Sequence, residues 1–310
     1  MRVIVIGATG HIGSYLVPKL VNQGFEVLAV SRHQQTPYND NPAWRSVRSI
    51  ALDRVKLEKQ NQFGHAIADL EPDIVIDLIC FTKQSAQQLV EAVKGKIKQF
   101  LHCGTIWVHG ETRAVPTIEE QARYPIGEYG KDKAEVEQYL QDEYAYRQFP
   151  STIIHPGHIV GPGWVPLNPA GNFNEQLFID ISQGNDITLP NLGLETLHHV
   201  HAEDVASLFM QAIKHRKNAL GESFHAVSNQ ALTLKGYALS LAEWYAKSAN
   251  LRYLPINEMK HHLSEQDFNA TIEHVSHSTN CSNLKAQKLL EFCPKYSSLE
   301  AIQESLSEII

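Results

Sequence analysis

The 310-residue chain is 43% hydrophobic and 20% charged, the composition of an ordinary globular protein of one or two domains. Its 27 Lys and Arg against 34 Asp and Glu leave a net charge of -7, which argues against a nucleic-acid partner, since nucleic acid selects a basic face. No apolar run approaches membrane-spanning length, the first apolar run breaks too early for a secretory signal, and four cysteines without a Cys-x-x-Cys pattern read as buried free thiols in a reducing cytoplasm.

Arg2 to Ile6 is a short run rich in β-branched residues, expected as a buried parallel strand. Gly7-Ala8-Thr9-Gly10-His11-Ile12-Gly13 follows, and then apolar residues at helical spacing from Ser14 to Gln23, stopped at Gly24. Glycines on a strand-to-helix turn leave room for a sharp bend, for a phosphate against the main chain and for close helix packing. The helix start offers free N–H groups to a pyrophosphate. Gly7, Thr9, Gly10, His11, Ile12 and Gly13 are therefore the expected dinucleotide contacts.

A second strand, Glu26 to Val30, ends at Ser31-Arg32, where an adenosine ribose is expected. An NAD site usually places a carboxylate here. Arg32 instead suits a 2′-phosphate, so the pattern leans to NADP, with NAD the alternative. A polar loop spans 33–44, and Val47 to Leu52 reads as a third strand closed by Asp53, a candidate for the adenine amino group or for capping the next turn. Leu57 to Leu70 reads as one helix interrupted by Gly64 and stopped by Pro72. A fourth strand, Asp73 to Cys80, should turn Leu78, Ile79 and Cys80 toward the cofactor, and a helix follows from Lys83 to Val93.

The fifth strand, Gln99 to Cys103, runs on into Gly104-Thr105-Ile106-Trp107-Val108-His109-Gly110, and 111–124 reads as loop. Gly127 to Leu140 is helical and places Tyr129 and Lys133 one turn apart on one face. An ammonium beside a phenol favours the phenolate, so the pair suits proton transfer, with Thr105 orienting a substrate oxygen. A sixth strand, Thr152 to His155, leads to Pro156-Gly157 and Gly161-Pro162-Gly163-Trp164. His155 and Gly157 are expected at the cofactor, and His158, Trp164 and Asn172 at the substrate. His198, His199 and His201 invite a metal reading, but metal is not expected, since satisfied structural histidines are common.

Five strands alternating with helices imply a doubly wound parallel sheet. The helix from Glu203 and the strand Ser223 to Val227 should rejoin it, giving one domain from 1–163 plus 200–228. Residues 164–199 plus 229–310, with helices at 233–248, 282–291 and 298–309, should form a smaller lobe, with substrate in the cleft between.

Several of these motifs, in this order, resemble the extended short-chain dehydrogenase/reductases, the group of NAD-dependent epimerases and dehydratases, over nearly the whole chain. Gly7, Gly10 and Gly13 match the family's glycine triplet, Thr105 its Ser/Thr, and Tyr129 and Lys133 its Tyr-x-x-x-Lys. His155-Pro156-Gly157 through Gly163 resembles its Arg-Pro-Gly block with His for Arg, His109 replaces its tyrosine, and Ala202 to Ala206 resembles its Val-x-Asp-Val-Ala helix start. The resemblance implies a Rossmann-type sheet with a C-terminal substrate lobe, NAD or NADP as cofactor, and a small-molecule substrate. It also implies hydride transfer by Thr105, Tyr129 and Lys133, with Lys133 donating to the nicotinamide ribose. The family's dimer face, on the helices flanking the Tyr129 segment, makes a homodimer one expected assembly.

The departures bear on substrate. Ile106 and Trp107 stand where dehydratases carry Asp and Glu, which argues against dehydration. Leu197 stands where nucleotide-sugar enzymes place a diphosphate-binding arginine, with His198 or Asn172 as candidate substitutes. A sugar or nucleotide-sugar epimerase is the leading expectation. An NADPH-dependent reductase of a small aldehyde or ketone is the alternative. A non-enzymatic NAD(P)-binding regulator and an RNA-binding relative are readings of other classes, opposed by the intact Tyr129/Lys133 pair and by the acidic balance.

Overall fold

The computed structural model describes residues 1–32, 37–307 and 309, so residues 33–36 of the expected polar loop lie outside the described residues, as does residue 308 of the expected last helix. The first half alternates β1 (Arg2–Ile6), α1 (His11–Asn22), β2 (Glu26–Ser31), β3 (Arg48–Ala51), α2 (Arg54–Lys59), α3 (Phe63–Ala68), β4 (Ile74–Asp77), α4 (Lys83–Val93), β5 (Gln99–Cys103), α5 (Gly127–Arg147) and β6 (Ser151–Pro156). Then come β7 (His158–Val160), α6 (Gln176–Gln183), β8 (Asp186–Pro190), β9 (Thr196–Leu197), β10 (His199–His201), α7 (Ala202–Lys214), α8 (Arg216–Ala219) and β11 (Ser223–Ala226). The last part holds β12 (Leu232–Thr233), α9 (Leu234–Trp244), β13 (Asn250–Leu254), α10 (Glu265–His277), α11 (Leu284–Leu290) and α12 (Ser298–Leu306).

Seven strands form one parallel sheet in the order β3-β2-β1-β4-β5-β6-β11. The order reverses at β1, so a crevice opens beyond the carboxyl ends of β1 and β4, where such sheets bind ligands. Register keeps those ends level: Ile6 pairs with Val30 on one side and with Asp77 on the other. The continuous apolar run of β1 follows from burial on both faces. Val3 and Val5 pack with Leu16 and Leu20 of α1 and Phe209 of α7, and Ile4 and Ile6 pack with Phe63, Leu89 and Leu140 on the opposite face. Each fully buried side chain of this size contributes about 1.5–3 kcal/mol relative to exposure.

A third cluster lies apart from the sheet and joins Phe178, Leu189, Tyr237, Leu241, Val275 and Ile302 from α6, β8, α9, α10 and α12. Among the described residues, no helix is long and apolar enough to cross a membrane.

The structure departs from the sequence reading at several elements. The helix expected over 57–70 is two, parted at Asn61, whose φ is +54°. Gly64 is not the break: a Cβ there would run into the Gln88 carbonyl, so this glycine lets α3 meet α4. α10 and β13 were not expected, although Ser264 caps α10 ahead of an acidic first turn, a readable start signal. α11, expected in the smaller lobe, packs on α7 and β11 and places Ala286 and Leu290 in the sheet's core. Of the four thiols, Cys80, Cys103 and Cys281 are buried but Cys293 is exposed.

Candidate active site

The carboxyl ends of β1, β4, β5 and β6 border a cleft of about 500 Å³. Its floor is the glycine turn. Gly7 has φ +84°, a conformation that costs a side-chain-bearing residue. A Cβ on Gly13 would collide with the Ala8 backbone, so glycine is what brings α1 against the end of β1. The turn closes on itself, with Gly10 N donating to Gly7 O at 3.1 Å and Gly10 O accepting from Ser14 N at 2.9 Å. The amides of His11, Ile12 and Gly13, in the first turn of α1, are among the N–H groups that a helix start leaves without an intrahelical acceptor, and all three residues line the cleft. His11 forms one wall, stacked on Trp164 with centroids 4.8 Å apart and planes 4° apart, and lies 5.1 Å from the Tyr38 ring. Burial, with a smaller effect of His201, lowers the His11 pKa to about 4, so the wall is uncharged at neutral pH.

The opposite wall is α5. Tyr129 is 40% exposed, and its ring stands edge-on to Trp107 at 5.9 Å and tilted to Phe81 at 6.4 Å. Its hydroxyl is turned toward the Thr105 side chain, and burial at that end pushes the phenol up to about 12 against the opposing effect of Thr105. Lys133 is 2% exposed. Its Nζ donates to Cys80 O at 2.7 Å and Cys103 O at 2.8 Å, tying α5 to the ends of β4 and β5. An ammonium has three donors, so one N–H is left for the cleft. The lysine was expected to lower the phenol; instead its Nζ stands 5.9 Å from the Tyr129 ring centroid and burial of the phenol prevails.

Thr105 ends the β5 segment. Its Oγ1 accepts from Trp107 N at 3.3 Å and starts the 3-10 turn Ile106–His109. Its own amide donates to His155 Nδ1 at 3.0 Å, and His155 Nε2 lies 3.0 Å from Glu137 Oε1. Burial alone would raise the Glu137 carboxyl, but His155 and the Arg123 guanidinium hold it well below the usual carboxylate range.

Of the residues expected at the cofactor or substrate, the cleft gathers Gly7, Gly10, His11, Ile12, Gly13, Leu78, Ile79, Thr105, Tyr129, Lys133, Gly157 and Trp164. Ser31 ends β2 and Arg32 follows it beside the turn, where Gly7 N donates to Val30 O at 2.9 Å, and with Thr9 they are outside the lining. Asp53 accepts from Lys56 N at 3.0 Å and caps α2, the second of its two readings. Cys80 contributes its carbonyl to Lys133, while its thiol is buried.

Four expectations are corrected. His155 does not face the cleft but lies fully buried behind Thr105. Asn172 is buried against Asn168 and Thr271, where it holds a loop together. His198 has both ring nitrogens engaged, with Ser228 O and Cys281 N, and cannot serve a diphosphate, while Leu197 lies in the third core cluster. His158 is outside the lining and packs 6.3 Å from Trp107 and 5.4 Å from His274. The three clustered histidines diverge: His199 bonds Leu167 O, and His201 accepts from Glu203 N and pairs with Glu304.

The sequence reading missed Tyr38, Phe81, Cys103, Gly104, Pro156 and Ile159, which also line the cleft. It also missed the buried pair of Arg54 with Asp77 at 2.8 Å, which shapes the end of β4; Asp77 accepts from Ile79 N in turn.

Comparison with known proteins agrees with this geometry. Residues 3–226 match the model of the NAD dependent epimerase/dehydratase family. Among curated proteins, "Chloroplast stem-loop binding protein of 41 kDa b" from Arabidopsis thaliana is 26% identical over 78% of this chain and 62% of that protein, and 2'-dehydrokanamycin reductase from Streptomyces kanamyceticus is 24% identical over 75% and 63%. The chain thus spans under two thirds of the length of these relatives. Among solved structures, UDP-glucose 4-epimerase from Thermotoga maritima superposes with a TM-score of 0.75 at 20% identity, covering 100% of this chain and 98% of that one. UDP-glucuronic acid 4-epimerase from Bacillus cereus, solved with UDP-glucuronic acid and NAD, gives 0.72 at 20% identity, covering 100% and 99%. The chain belongs to the NAD dependent epimerase/dehydratase family.

Proposed function

We propose that this member of the NAD dependent epimerase/dehydratase family moves a hydride to and from a hydroxyl-bearing carbon of a sugar, and so acts as a sugar or nucleotide-sugar epimerase. The observation that carries the reading is one cleft that joins a glycine turn with free amides to Tyr129, Thr105 and an anchored Lys133. The bare backbone at Gly7, Gly10 and Gly13 fits a dinucleotide: Gly7 makes the turn at φ +84°, Gly10 carries no side chain beside the amides, and Gly13 lets α1 pack against Ala8. On this reading the amides of His11, Ile12 and Gly13 hold the pyrophosphate, Ser31 and Arg32 flank the adenosine ribose, and the third N–H of Lys133 meets the nicotinamide ribose. A bound nicotinamide supplies the hydride acceptor and donor. Thr105 orients the substrate oxygen. Tyr129 must first lose its own proton to solvent; as the phenolate it takes the hydroxyl proton while the carbon gives up its hydride, and it returns that proton to the oxygen when the hydride comes back on the other face. The smaller lobe, 164–199 plus 229–310 without α11, covers the substrate.

A second reading, an NADPH-dependent reductase, is favoured by two observations. The Tyr129 phenol is held protonated, poised to give a proton to a carbonyl. No Lys or Arg occurs between Arg147 and Lys214, the stretch that covers the substrate side, so that stretch offers a diphosphate no such cation. The relative from Streptomyces kanamyceticus is itself named a reductase. Arg32 supports NADP over NAD. Free thiols and the charge of -7 support a cytoplasmic enzyme without a nucleic-acid partner, and a homodimer through α4 and α5 is the assembly we propose.

The test is calorimetric titration with NAD(H) and NADP(H), followed by incubation with UDP-galactose, methyl galactoside or cyclohexanone. Interconversion of sugar epimers with no net change in cofactor absorbance is the expected result. Stoichiometric consumption of NADPH would replace it with the reductase reading. No binding of either cofactor would leave a non-enzymatic protein.

A further inference from the structure

Tyr129, Lys133 and Glu137 follow one another at four-residue steps along one face of α5. The first meets Thr105 through its side chain, and the second ties down the strand ends on either side. The third reaches Thr105 from behind, through His155. Thr105 N donates to His155 Nδ1 at 3.0 Å, so that nitrogen carries no proton. The ring's hydrogen is therefore on Nε2, which donates to Glu137 Oε1 at 3.0 Å. Arg123 holds the carboxylate from the other side, Nε to Oε2 at 2.9 Å and Nη2 to Oε1 at 2.7 Å.

The His155 ring is buried and tightly fitted. His155 is fully buried, and a Cβ on Gly104 would overlap its Nδ1, so the glycine before Thr105 is what admits the ring. The opposite tautomer would set a ring hydrogen against the Thr105 amide hydrogen and a lone pair against the carboxylate, unfavourable at both ends. Glu137 thus selects the tautomer, and the tautomer holds the backbone of Thr105.

We propose that Glu137 and His155 are positioning residues for Thr105: the carboxylate locks the imidazole in the form that accepts the Thr105 amide, and this fixes where the Thr105 hydroxyl meets Tyr129 and the substrate oxygen. The inference rests on the hydride-transfer reading for its functional half. Its structural half is measured independently.

The first measurement is the coupling between the Thr105 amide nitrogen and His155 Nδ1 across their hydrogen bond, by NMR of the ¹⁵N-labelled full chain. The coupling is expected in the native protein and lost in Glu137→Gln, whose carboxamide offers the ring a donor as readily as an acceptor. A coupling absent from the native protein, or unchanged in Glu137→Gln, overturns the lock.

The second is kinetics with whichever of UDP-galactose, methyl galactoside or cyclohexanone turns over. Glu137→Gln and His155→Leu should lower kcat about tenfold with KM and cofactor Kd within about twofold, the pattern of a misplaced catalytic group. His155→Asn, whose side-chain oxygen can accept at the Nδ1 position and has no tautomer to lock, should keep kcat within about threefold of native, and adding Glu137→Gln to it should cost nothing further. Equal losses in His155→Asn and His155→Leu, or losses shared by KM and Kd, would make both residues merely structural and overturn the proposal. A native protein that shows the coupling but binds no nicotinamide cofactor overturns the functional half through its premise, and is distinct from loss of the coupling.

Discussion

The two walls of the cleft are built on opposite plans. At the glycine turn the contacts offered are main-chain amides, and what matters is that side chains are missing at Gly7, Gly10 and Gly13. On α5 the contacts are long side chains: Tyr129 is partly exposed beside Thr105, while Lys133 is buried and held by two carbonyls and Glu137 is buried and held by Arg123 and His155. The contrast teaches where each wall is fragile. The turn fails when an atom is added. The α5 side fails when an atom is removed or a proton is misplaced.

The largest expected effect is acid sensitivity away from the turn. Burial lowers the pKa to about 3 for His109 and His199 and to about 4 for His198 and His274, while on the turn only His11, at about 4, is lowered in this way. In the unfolded chain these imidazoles bind protons near pH 6.5, whereas the folded chain resists until about pH 4. Stability is therefore full above pH 6.5 and lost as pH falls toward 4, by about 1.4 kcal/mol per pH unit for each such histidine. Thermal melts at pH 7.5 and pH 5 should show a steep fall in Tm, and His11→Phe should remove only a minor part of it. A flat profile would mean that the fold does not hold these buried imidazoles uncharged.

Gly13→Ala tests the turn. The added methyl meets the Ala8 backbone, so α1 must shift, at a cost of about 3 kcal/mol. Urea unfolding should move accordingly and cofactor affinity should drop with it. A native midpoint would mean that α1 does not need its close approach.

Tyr129→Phe tests the opposite wall and should divide the two readouts. Loss of the proton carrier should lower kcat about 100-fold, equivalent to about 2.7 kcal/mol, with Tm and cofactor affinity retained because the ring is partly exposed. A matching loss of stability would make the tyrosine a packing residue.

The smallest effect is expected at the rim of the turn. Arg32→Ala removes an exposed guanidinium and should weaken NADP(H) about fivefold, or about 1 kcal/mol, more than NAD(H). Calorimetric titration that finds both cofactors weakened equally would remove the 2′-phosphate contact from the site.

Local chemistry determined what could be read from the chain alone. A backbone that must bend at Gly7 and pack closely at Gly13 demands glycine wherever the rest of the chain goes, and a strand buried on both faces demands an unbroken apolar run. Helical spacing likewise puts Tyr129 and Lys133 on one face. Tertiary structure decided the rest. Thr105 and His155 are 50 residues apart, Glu137 and His155 are 18, and Arg54 and Asp77 are 23. No periodicity links such positions, because their meeting depends on which strands pair and on how deeply the sheet buries their ends. That burial turned His155, Asn172 and His198 from candidate ligands into internal struts, since a polar group removed from water must find its partner within the protein.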